Sequence, residues 1–154
     1  MKALLIFVAL TISLTSQAED FNYSSYKNTP LAEILEESKL YDPDKKEGQS
    51  ILMPSPKIHL FEMLSMFPKK CDTFLPIFVL NTIGIPTGSL PPINYCMSIK
   101  TEDNVYVNLY IQDSIAGFVA EEYKLGDKIH LNVMWLFVNS SDKKPYFLVN
   151  GLGE

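Results

Sequence analysis

Tyr106, Asn108, Tyr110 and Gln112 alternate with Val107, Leu109 and Ile111. A strand with this alternation carries rings and amides on one face and aliphatic groups on the other. Aromatic surface beside amide donors and acceptors can engage a protein or a glycan without formal charge. His130 and Asn132 alternate in the same way on a second segment. They are expected on a neighbouring strand, where they would extend the stripe into a partner-binding face. The competing explanation is ordinary cross-strand pairing, with a second layer covering the face.

Hydrolysis and metal binding have weaker support. Glu121 and Glu122 are adjacent, so on a helix they point about 100° apart instead of converging. Asp113 suits a helix cap as well as an acid, and the chain contains neither GxSxG nor SxxK. A small periplasmic hydrolase using Asp113, Glu121 or His130 is therefore the alternative function, and no catalytic residue is assigned. His59 and Glu62 are three residues apart, and His130 is the only other histidine. That falls short of the three or four ligands of a zinc site. His59, Met63 and Met66 would share a helical face that suits Cu(I), but methionines more often fill gaps in an apolar helix. Neither a cofactor nor a metal is expected.

All thirteen basic residues are lysines and the net charge is −5. The forked guanidinium that reads guanines and grips phosphates is missing, which argues against a nucleic-acid partner. An acidic chain instead suits a basic partner, because opposite potentials speed encounter. Lys2 precedes an apolar run, Ala3 to Leu10, that fades into Ser16-Gln17-Ala18. This pattern predicts a signal peptide over 1–18, removed after Ala18, with no membrane span following it. Cleavage removes one lysine and takes the charge from −5 to −6. Two cysteines remain, Cys71 and Cys96, and in an exported chain they are expected to form a disulfide worth about 3 kcal/mol.

The elements that would position these residues follow from periodicity and punctuation. Residues 19–28 are polar and aperiodic and read as a flexible arm, with a single globular domain over 29–154. Thr29-Pro30 should cap a helix ending near Leu40, followed by a charged linker. After Ser55-Pro56, residues 57–67 are expected as a buried helix stopped by Pro68. The alternation that starts at Ile58 and Leu60 also admits a strand. Phe74 to Leu80 is apolar, and 84–92 is a loop rich in glycine and proline. Strands are expected over 93–99, 105–112, 127–138 and 146–150. A helix starting at Asp113 or Ser114 should end on a left-handed Gly126.

Residues of about 93–150, with the Gly126-Asp127 entry to a long strand, resemble the latter part of an OB-type barrel in shape. The fold class that follows is α+β, with N-terminal helices packed on a small antiparallel, OB-like sheet or partial barrel. The function expected is that of an exported, periplasmic or secreted, non-enzymatic domain that binds a protein or cell-envelope component.

Overall fold

The computed structural model describes residues 23–41, 50–52 and 54–153. The signal segment, the start of the arm (19–22) and residues 42–49 lie outside these. The strands are β1 (Lys27–Asn28), β2 (Ser50–Ile51), β3 (Lys57–Lys70), β4 (Ile93–Lys100), β5 (Tyr106–Gln112), β6 (Lys128–Val138) and β7 (Pro145–Leu152). The helices are α1 (Leu31–Ser38), α2 (Phe74–Thr82) and α3 (Asp113–Glu122). The sheet order is β1-β3-β4-β5-β7-β6-β2, and a further β3–β6 pairing closes the middle five strands into a barrel. β5 and β7 run parallel while the other barrel pairs are antiparallel, so the sheet is mixed, not antiparallel as expected.

The expected pair of N-terminal helices does not form, because residues 57–67 belong to β3. This strand is long enough to serve two neighbours. Lys57 to Met63 pair with β6, and Met63 to Lys70 pair with β4. Its apolar residues thus follow two successive partners and two register shifts, not the face of a helix. Pro68 does not end the element. It lies between Met66 and Lys69, where the register shifts and proline's missing N–H is tolerated.

The barrel interior is filled by Leu60, Leu64, Val107, Leu109, Val133, Trp135 and their neighbours. α3 touches β3, β4, β5 and β7 and contributes Ala116 and Val119, while α1 contributes Leu31 and Ile34. The inward alternation of β6 breaks at a register shift between Trp135 and Phe137. Phe137, which strict alternation would put on the face of Trp135, therefore joins the outer cluster, and Val138 joins the interior. One extra residue in a strand reverses the direction of every side chain after it.

That outer cluster lies where α2 packs Val79 and Leu80 against Tyr110, Met134, Leu136, Phe137 and Leu148. α2 is apolar nearly all round, so its other side leaves Phe74 and Phe78 exposed. The disulfide Cys71–Cys96 ties the entry of α2 to β4, confirming the expected pairing.

Three capping expectations fail. Thr29 makes no cap, because α1 starts from the Pro30 carbonyl, which accepts from Glu33 and Ile34 N–H. The Asp113 carboxylate accepts from the N–H and Nδ2 of Asn94, at 2.9 and 2.8 Å, and so ties α3 to β4. Gly126 has φ +92°, but it serves the turn into β6, beyond the end of α3. Among the described residues no helix is long and apolar enough to cross a membrane.

Candidate functional site

The expected stripe occupies one face of β5, but its two ends lie in different surroundings. Tyr106 is 50% exposed, and Asn108 is exposed while accepting from Ser98 Oγ at 2.5 Å. Tyr110 is buried beneath α2 against Phe137 and Tyr146. Burial, together with Tyr146 and Asp72, pushes its phenol up to about 12. Gln112 is 8% exposed. His130 and Asn132 do not adjoin the stripe, because β7 separates β6 from β5.

The register instead builds two adjoining rows on the outer surface. Lys57 pairs with Met134, Met134 with Leu148, and Leu148 with Tyr110. In the next row His59 pairs with Asn132, and Asn132 with Gly151. The register of β6 and β7 shifts at this point, so Asn150 has no opposite number and forms a bulge.

The chain entering β1 lies over these rows. Residues 23–28, expected as part of a loose arm, are docked: Tyr26 is buried and β1 pairs in parallel with β3. Asn150 holds this segment, accepting from Tyr23 OH at 3.2 Å and donating Nδ2 to Tyr26 OH at 2.9 Å. Gly151 is required beside it, because a Cβ there would overlap the Tyr23 ring.

Two recesses result, with Tyr23 lining one and Tyr26 the other. The first encloses about 530 Å³ and is lined by Asn28, His59, His130, Asn132 and Gly153. Its most buried polar group is satisfied within the protein. Asn132, 2% exposed, donates Nδ2 to the Leu152 carbonyl at 3.1 Å, which leaves Oδ1 to accept from His59 Nδ1. His130 packs against Phe61 with the rings tilted by 50° and their centroids 4.0 Å apart.

The second recess encloses about 480 Å³ between α2, the loop after it, and the outer face of β6 and β7. Leu80, Ile85, Leu90, Pro91, Met134 and Leu148 give it an apolar wall. Its polar members are Lys57, Tyr26, Gln112, Asn150 and Ser89. The Gln112 side chain has no hydrogen-bond partner among the described residues. The Lys57 ammonium lies 5.9 Å from the Tyr26 ring centroid and makes no ion pair among the described residues. Burial raises the Tyr26 phenol above its ordinary value, so it remains an O–H donor.

Asp113, Glu121 and Glu122 line neither recess. On a strand, His59 and Met63 are about 13 Å apart along the chain, which breaks the helical copper arrangement. Among the described residues no group of three His, Cys, Asp or Glu side chains could hold a metal. Of the residues singled out from the sequence, Gln112 reaches the second recess, and His59, His130 and Asn132 reach the first. Tyr26, Lys57 and Asn150 were missed. Asn150 left one signal, a polar residue interrupting the apolar run of β7.

Comparison with protein-family models, with curated proteins and with solved structures returns no match.

Proposed function

We propose that this chain is an exported, non-enzymatic binding domain that takes up an apolar group of an envelope component or partner protein in the recess beneath α2. One observation carries the reading. A cavity of about 480 Å³ with an apolar wall is lined by Gln112, a residue 8% exposed whose side-chain amide has no hydrogen-bond partner among the described residues. A recess of this size, lined mainly by apolar side chains with a few converging polar groups, is the usual form of a small-ligand site. An amide without a protein partner that faces a cavity keeps both donors and its acceptor for a ligand.

Export is supported by the apolar leader and by the disulfide, a bond that oxidising compartments preserve. The strand order supports an OB-type barrel: the first barrel strand pairs with the second and fourth, and a helix joins the third to the fourth. In such barrels the loop after the first strand helps hold ligands, and here that connection supplies α2 and Leu90. A fold with many functions implies none by itself, so the weight rests on the recess.

The test uses N-phenyl-1-naphthylamine, a neutral apolar fluorophore. Saturable enhancement at one site per chain is expected. Met134→Trp, which fills the recess from β6, should abolish it while leaving the far-UV spectrum unchanged. Absence of saturable binding to the unmodified protein, or equal binding by a folded Met134→Trp variant, overturns the reading.

A further inference from the structure

The polar side of the recess beneath α2 carries more donors than acceptors, the acceptors being the side-chain amide oxygens of Gln112 and Asn150. Lys57 offers an ammonium group, which is charged and donates three hydrogens. Tyr26 OH already accepts from Asn150 and so keeps its own hydrogen for a further acceptor. Gln112 adds two N–H groups and one carbonyl, all without partners among the described residues. Ser89 turns away, donating its hydroxyl to the Pro86 carbonyl at 2.8 Å. Among the described residues no aspartate or glutamate lines the cavity. One uncompensated positive charge, an excess of donors and a wall of aliphatic side chains together specify the complementary molecule: an apolar body with a single anionic, acceptor-rich head.

We propose that the recess binds a small amphipathic monocarboxylate of the medium-chain acyl type. Its chain would lie against Leu80, Leu90, Met134 and Leu148, and its carboxylate would accept from Lys57, Gln112 and Tyr26. A cation would find no counter-charge in the lining. A phosphate dianion would exceed the one lysine present. The Lys57 ammonium above the Tyr26 ring is held near the rim by the attraction of a cation for an aromatic face. This assignment rests on the binding-domain reading above and specifies its ligand.

The experiment displaces N-phenyl-1-naphthylamine from the oxidised protein with decanoate and, in parallel, with decan-1-ol, which shares the chain but lacks the charge. Decanoate should compete at a concentration about tenfold lower than the alcohol, the size of one charge-assisted hydrogen bond. Lys57→Met keeps the alkyl stem, and it should erase that preference while leaving the alcohol's competition unchanged. Gln112→Ala should reduce the preference in part. Equal competition by the two molecules in the unmodified protein, or a preference that survives Lys57→Met, overturns the carboxylate assignment and leaves the binding-domain reading standing. Failure of the fluorophore to bind the unmodified protein overturns both.

Discussion

The two recesses share one wall of the barrel and differ in what their polar groups do. In the recess around His59 the amide of Asn132 is engaged at both ends, by the Leu152 carbonyl and by the imidazole. In the recess under α2 the amide of Gln112, a residue 8% exposed, has no partner among the described residues, and Lys57 has no counter-charge among them. The cavities are of similar size, about 530 and 480 Å³, so volume does not distinguish them. The unpaired donors do. A buried polar group that is satisfied internally holds a fold together, whereas one left open to a cavity stays available to a ligand.

The sharpest way to break this contrast is to release the lid of one recess only. Replacing Cys71 and Cys96 together by serine opens a cross-link of sequence separation 25 and should cost about 3 kcal/mol in denaturant unfolding. Hydrogen exchange should then quicken over Phe74–Thr82, and fluorophore affinity should fall. The amides of Leu131 and Val133 should keep their relative protection. Asn132→Ala comes next. It strands the Leu152 carbonyl and the His59 N–H, so a loss of about 1–3 kcal/mol is expected, with fluorophore affinity unchanged. Gln112→Ala is the mirror case. It removes no protein hydrogen bond, so stability should change by about 1 kcal/mol or less while carboxylate competition weakens.

Smallest near neutral pH is the signature of Tyr110, which reports how dry the α2 side is. Its phenol is raised to about 12, above the ordinary value near 10. The contribution is therefore fully present below pH 10 and is lost as pH rises from about 10 towards 12, where only the unfolded chain readily ionises. The phenolate absorbance step missing from Tyr110→Phe should lie near pH 12. A step near 10 would mean that α2 does not seal this face.

Legibility from the sequence followed the simplicity of each element's surroundings. β5 has one apolar and one polar face, and its alternation was plain. β6 was recognisable as a strand, but the bulge after Trp135 that moves Phe137 outward left no mark in the residue types. β3 misled because it serves two neighbours across register shifts, which blurs a period of two into something helical. The disulfide followed from cysteine count and compartment alone. The second recess was nearly invisible, since Tyr26, Lys57, Leu90 and Gln112 come from four separate segments and converge only through the register. Gln112 was singled out as part of a tyrosine stripe, and α2, which the sequence showed only as an apolar run, separates it from Tyr106.

The most direct test of the contrast follows the side-chain amide resonances of Gln112 and Asn132 by ¹H–¹⁵N NMR while decanoate is titrated into the oxidised protein. Gln112 should shift and saturate with the ligand while Asn132 stays in place. A saturating shift of Asn132 with Gln112 unmoved would contradict the account.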